Sequence, residues 1–293
     1  MNDDFKTYRL QRGYSVKTIK SQDCYIRKLT CWLNEKKIAL LNIDYQTLLS
    51  FVSVERKKGS NPENLKNQMQ AIRIYLDYLK DTGIIKYNPA EHVKIRDTVE
   101  KMLFPAIEEE TLLNAYKAFA NNKCKTTRGK AEQQRDTVAL GLMVFQGLDS
   151  GDLERLTVKD INLTEGTLYV ASSRRNASRT LKLESLQILS INEYLTVTRN
   201  CLNEYQTNSE KLFVKQKIND MVSAIVQKLK AAFPEIQNPR HIHSSVIQNR
   251  LKQYHIRQVQ YMSGHRHISS TEKYKKEDLH DLQQQITKYH PIK

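Results

Sequence analysis

Chemistry in this chain begins with a short stretch near its end, "MSGHRHISSTEKY", Met262 to Tyr274. An imidazole, His265, follows a glycine, and a phenol, Tyr274, stands nine residues further on. A tyrosine hydroxyl is a candidate nucleophile, but with a pKa near 10 it is mostly neutral and weak at pH 7. It needs neighbours that bind and polarise its target. Three other stretches offer polar groups in unusual density: "RHIH", Arg240 to His243; the basic turn "SSRRNAS", with Arg174 and Arg175; and "LDSGDL", with Asp149 and Asp152. On a helix, Arg240 and His243 share a face, being three residues apart. The pairs His241-x-His243 and His265-x-His267 have the spacing of zinc ligands. No cysteine or carboxylate pattern accompanies them, so no metal is expected.

The elements that must position these groups fall into two sets. Residues 1–100 read as helices. Ser15 is placed as an N-cap, with Ile19, Tyr25, Ile26, Leu29 and Leu33 near helical spacing. A second helix starts from Asp44 and stops before Gly59, and a third opens with Pro62 and stops at Gly83. The stretch from Ile84 to Ile107, with two prolines and many charges, reads as a linker, with the boundary near residue 100. Residues 101–293 mix both types: helices around 108–121, 129–146 and 184–205, two strands "TLYVA" and "RTLKL" joined by the basic turn, and further helical segments after Pro234.

Composition narrows the function classes. The 293 residues carry a formal charge of +15, of which +6 lies in residues 1–100 and +9 in the remainder. An excess spread over both halves points to two domains acting on one polyanion. No segment joins a basic face to a strongly apolar one, and the most apolar run, "VALGLMVFQGL", is about half the length of a membrane span. Four cysteines lack C-x-x-C spacing, and "MNDDFKTYRL" lacks a signal-peptide core. The expectation is a cytoplasmic protein with reduced thiols and no membrane partner.

The order of these segments resembles the tyrosine recombinases, the phage-integrase family. Four pieces carry the resemblance: "IRIYLDYLKDTGIIKYNPA", "RDTVALGLMVFQGLDSGDLERLTVKDINL", "TLYVASSRRNASRTLKL" and "IRQVQYMSGHRHISSTEKY". The resemblance implies a mainly α fold. An N-terminal helical DNA-clamping bundle (residues 1–100) would be joined to a mixed α+β catalytic domain (101–293) with a small β-hairpin sheet. It implies attack of tyrosine on a phosphodiester, a 3′-phosphotyrosyl link, and rejoining without a cofactor. The partner implied is double-stranded DNA, bound by a dimer or tetramer of this chain or alongside an active relative.

Carried over residue by residue, the resemblance makes Tyr274 the nucleophile and His265 a donor to the phosphate. The family's hairpin lysine aligns with Arg174, whose guanidinium keeps the charge but gives up a proton with difficulty. One family arginine should follow Gly147-Leu148, where this chain has Asp149. The other aligns with His243, and the histidine three residues before it with Arg240, so the usual order is exchanged. Arg155 and Arg135 are sequence neighbours able to compensate. Arg174, Arg175, Arg179 and Lys66 are the expected DNA contacts, and Asn64, Asn67 and Gln70 are base-edge candidates beside Lys66. Two readings follow: a working recombinase, or a DNA clamp that regulates or assists recombination without cleaving.

Overall fold

In the computed structural model the described residues are 3–95, 105–122, 124–203, 210–214 and 217–275. The chain divides into two compact units, Met1–Met102 and Leu103–Lys293.

In the first unit four helices form: α1 (Asp3–Gln11), α2 (Val16–Glu35), α3 (Tyr45–Lys57) and α4 (Pro62–Asp81). Ser15, Asp44 and Asn61 each accept a bond from the backbone N–H three residues on. Each thereby satisfies a donor that the first helical turn leaves orphaned. Leu29 and Leu33 of α2 share a core with Leu48 and Phe51 of α3 and with Leu65, Met69, Ile72 and Leu76 of α4. α1 joins through Phe5, which clusters with Ile26, Ala71 and Ile74. Arg9 is buried there, paired with Asp23 at 2.7 Å and stacked 3.9 Å over the Phe5 ring.

The expected linker needs a correction at its start. Asn88 donates to Asp77 at 2.7 Å, Arg73 donates to the Val93 carbonyl at 3.0 Å, and Ala90 and Val93 are buried. Residues 88–93 therefore pack on α4. They do so through side-chain-to-backbone bonds, which leave no hydrophobic period to read. Residues 96–104 lie outside the described residues.

The second unit is built around α6 (Thr127–Phe145), buried at every position from Arg135 to Val144. α5 (Glu109–Ala120) precedes it, and the short α7 (Ser150–Arg155) follows it across a tight turn. A three-stranded antiparallel sheet comes next, β1 (Ile161–Asn162), β2 (Thr167–Val170) and β3 (Arg179–Lys182), in that order. Its register sets Leu168 opposite Leu181 and Val170 opposite Arg179. β1 extends the expected pair of strands to three. α8 (Ser185–Glu193) runs through a π-helical turn, Tyr194–Thr198, into α9 (Arg199–Asn203).

α10 (Ile218–Leu229), α11 (Pro239–Gln253), α12 (Ile256–Ser263) and α13 (Ile268–Glu272) complete the unit. The sequence reading missed α10, although its Ile218, Met221, Val222, Ile225, Val226 and Leu229 are all buried and helically spaced. The core joins α5, α6, α10 and α11 to the inner face of the sheet. Residues 276–293, with the expected last helix, lie outside the described residues.

Candidate active site

At the end of α6 the chain turns through Gly147, at φ 68°, and Leu148 is fully buried. Asp149 then caps α7, accepting from the Asp152 backbone N–H at 2.7 Å. One turn into α7, Asp152 is fully buried and shared between two cations. Its Oδ2 accepts from Arg179 at 2.7 Å and its Oδ1 from Arg155.

On α11, started by Asn238 as N-cap and Pro239 in the first turn, Arg240 is exposed. His243 hydrogen-bonds through Nδ1 to the Gly147 carbonyl at 2.7 Å. A carbonyl only accepts, so Nδ1 carries the proton, and in the neutral ring Nε2 is left with its lone pair. Desolvation chiefly lowers the His243 pKa. The Gly147 bond, Asp149 and Asp152 oppose the shift, while Arg179 adds to it.

α12 ends at Gly264 in the left-handed region, φ 72°, and this turn carries His265. The hairpin turn is joined to it by main chain: Ala177 N donates to Gly264 O at 2.7 Å, and Asn176 bridges His265. Arg266 adds a bond to Ser173 O at 2.8 Å. His265 Nδ1 shares a hydrogen bond with buried Thr271 at 2.9 Å. Its ring lies parallel to that of Tyr274, with centroids 5.9 Å apart and an 8° tilt. Burial first, then His243 and Arg179, push the His265 pKa down to about 4. The Tyr274 hydroxyl is raised by burial; Arg240 pulls it down and Asp149 pushes it up.

These mutual influences place Tyr274, His265, His243, Arg240, Asp149, Asp152 and Arg179 around one spot. Arg174 and Arg175 stand exposed on the hairpin turn next to it. Lys66 is exposed on α4, in the first unit. Beside it, Asn64 accepts from Tyr25 and Gln70 accepts from Arg73, so Asn67 is the exposed candidate whose amide no described bond engages.

Arg179 corrects an expectation. Only 2 % exposed, it is no surface phosphate contact. The alternation along β3 gave the signal, since Arg179 shares a face with buried Leu181. Neither expected compensating arginine comes free: Arg135 is bonded to Asp136 and Arg155 to Asp152. A further arginine, half-buried Arg250, went unnoticed in the sequence. It donates to the Phe145 carbonyl at 2.6 Å, closing the end of α6, and burial lowers its pKa to about 10. Among the described residues no group of three or more His, Cys, Asp or Glu is placed to hold a metal ion. No described helix is long and apolar enough to cross a membrane.

Residues 107–280 match the phage integrase family model. The chain is 25 % identical over 290 residues to a tyrosine recombinase XerC of Psychromonas ingrahamii, covering 96 % of this chain and 92 % of the relative. It is 24 % identical to a tyrosine recombinase XerA of Pyrococcus horikoshii, covering 98 % and 92 %. Among solved structures it resembles XerH site-specific recombinase bound to palindromic difH substrate, in a post-cleavage complex. The TM-score is 0.72 at 18 % identity, over 94 % of this chain and 80 % of the other. The Tn1549 transposon integrase in complex with transposon right end DNA gives 0.66 at 13 % identity, over 97 % and 98 %. These structural likenesses show a mainly α fold with a small antiparallel sheet, as in tyrosine recombinases.

Proposed function

Since the chain belongs to the phage integrase family, we propose that it acts in DNA recombination by cutting and rejoining duplex DNA, with Tyr274 as nucleophile. The observation that carries this reading is the assembly around Tyr274. Its ring stacks on His265, and the exposed guanidinium of Arg240 is close enough to favour its ionised form. The Tyr274 oxygen attacks phosphorus and the bond to the 5′ oxygen breaks. A 3′-phosphotyrosyl link remains, and the reverse step joins a new strand.

The phenolic proton passes to a base. Neutral His243, pinned through Nδ1, presents Nε2 for that purpose, which an arginine in its place does not do. The departing 5′ oxygen takes a proton from water, because Arg174 on the hairpin is a poor acid. Arg240 and His265 are the phosphate donors, and the phosphotyrosyl bond conserves the energy for resealing without a cofactor.

The basic first unit contributes its own DNA contacts, with Lys66 on a phosphate and Asn67 beside a base edge. Two or four copies on paired sites, or one copy with an active relative, would complete the assembly. The amphipathic sequence of residues 277–289 is suited to docking on a neighbouring protomer.

One observation favours a second reading, a clamp that binds without cutting. Asp149 lies near the Tyr274 hydroxyl and raises its pKa, where the family resemblance calls for an arginine. At about 5 Å and an effective dielectric near 20, a carboxylate repels a phosphate by roughly 3 kcal/mol before salt screening. A nicked suicide duplex carrying a site selected by binding separates the two readings. A covalent adduct absent in Tyr274→Phe supports cutting. Tight, salt-sensitive binding with no adduct supports the clamp.

A further inference from the structure

Arg179 is the group in this site that the proposed chemistry leaves without a task. Its side chain is fully enclosed, yet only one nitrogen is spent, on Asp152; Nε and Nη1 meet no acceptor. Asp152 is divided between Arg179 and Arg155, so two guanidinium charges share one carboxylate. Arg155 is one-third exposed, so Arg179 is the fully enclosed cation of the two, answered through one nitrogen. Its position is set by Gly264, where an added Cβ would fall 2.3 Å from Nη1 and 2.9 Å from the guanidinium carbon. Glycine lets Arg179 lie directly under the turn that carries His265, while Ala177 ties the hairpin to the same glycine. A buried cation is felt strongly because little water screens it.

We propose that Arg179 is a positioning residue of this site. It supplies from beneath the fixed positive charge that Asp149 and His243 do not, directly against the turn that carries His265. The groups facing the two rings fit this role. His265 sees Arg179 from β3, His243 from α11, and Thr271 and Tyr274 from α13 and its end. His243 sees Arg179, the carboxylates of Asp149 and Asp152, and the Gly147 carbonyl. When a phosphate arrives, its charge favours protonated His265, which becomes a cation at the moment it is needed, while His243 keeps Nε2 free for the Tyr274 proton. An exposed arginine is charged at all times; this arrangement is charged on demand.

That consequence rests on the cluster being a phosphate site, but its test does not. Imidazole titrations of the full-length chain by NMR, without DNA, measure His265 and His243 directly. Arg179→Lys keeps the charge and should leave His265 titrating near its parent midpoint. Arg179→Gln removes the charge and should raise the His265 midpoint by about one unit or more. Arg179→Gln with Asp152→Asn removes both fully buried charges; Arg155, which also loses Asp152, is one-third exposed and keeps its solvent. His265 should still rise, because Asp152 is not among the groups acting on it. His243 should move less, because it loses one raising and one lowering neighbour. Folding is checked by circular dichroism and thermal melting. An unmoved His265 in a folded charge-removed variant overturns the proposal. So does an equal shift in Arg179→Lys and Arg179→Gln, which would leave Arg179 a packing role alone.

Discussion

Two walls of the same site differ in kind. The α12–α13 wall carries Tyr274 and His265 as a parallel stack, with His265 bonded to Thr271. The α6–α7 turn and α11 form the other wall, which offers a carboxylate and a neutral imidazole where two arginines are expected. Its remaining exposed cation, Arg240, sits one helical turn away from His243. Below both walls lies Arg179, buried and incompletely paired. Nucleophile geometry and phosphate-binding charge are therefore separable properties. On the proposed role of Arg179, the first belongs to the α12–α13 wall and part of the second lies enclosed beside it.

The largest effects test the first wall. Tyr274→Phe should abolish the covalent adduct on a nicked duplex while leaving DNA affinity nearly unchanged, because the hydroxyl reacts and the clamp binds. Adduct formation at another residue would break the comparison at its firmest side.

Next in size is the support beneath the walls. Asp152→Asn leaves Arg179 buried without its counter-ion, which should cost about 3–5 kcal/mol in denaturant unfolding. The pair is fully enclosed, so screening by salt should alter this loss little. A loss well under 1 kcal/mol would mean that water reaches the guanidinium, and the hub would then not be a low-dielectric one.

A third effect probes the altered wall. Asp149→Asn keeps an N-cap for α7 but removes the negative charge. The repulsion of roughly 3 kcal/mol translates into up to about a hundredfold tighter DNA binding at low salt, shrinking as salt rises. No gain in affinity at any salt would show that Asp149 does not face the bound phosphate.

How much of this was legible beforehand follows the same divide. Tyr274, His265, His243 and Arg240 were named through the family resemblance, which short runs of sequence carry. The helix starts at Ser15 and Asp44 were legible because cap chemistry acts over three residues. Arg179 was misread as a surface contact, since basic residues in a turn suggest solvent and its partner Asp152 is 27 residues away. Only the parity of β3 hinted at burial. α10 was missed because no cap or turn signal preceded it, although its apolar stripe was plain. Residues 88–93 looked like a linker because bonds from Asn88 and Arg73 leave no hydrophobic pattern.

A smaller effect concerns acid. His265 titrates near 4 in the folded chain, below its ordinary value of 6.5, chiefly through burial. Unfolded protein therefore binds the proton more readily. The stabilisation is fully present above about pH 6.5 and is lost progressively as pH falls towards 4. Thermal melts over that window should fall with acidity, and His265→Gln should flatten the part of the slope due to this ring. If the slope is the same in both proteins, His265 is not desolvated in the free chain, and the α12–α13 wall is more open than the stack implies.

The smallest effect contrasts Lys66 with Arg179, which as sequence looked like equivalent DNA contacts. Lys66 is exposed on α4 and Arg179 is enclosed, so they should fail in different ways. Lys66→Ala should weaken binding several-fold, about equally for all sequences, and reduce the slope of log affinity against log salt by about one. Arg179→Gln should leave that slope alone, since an enclosed cation releases no counter-ion when DNA binds. Equal changes of slope in both variants would mean that the hairpin opens on DNA and brings Arg179 out. The charge beneath the site would then be a reserve that moves to the surface, in place of a fixed support.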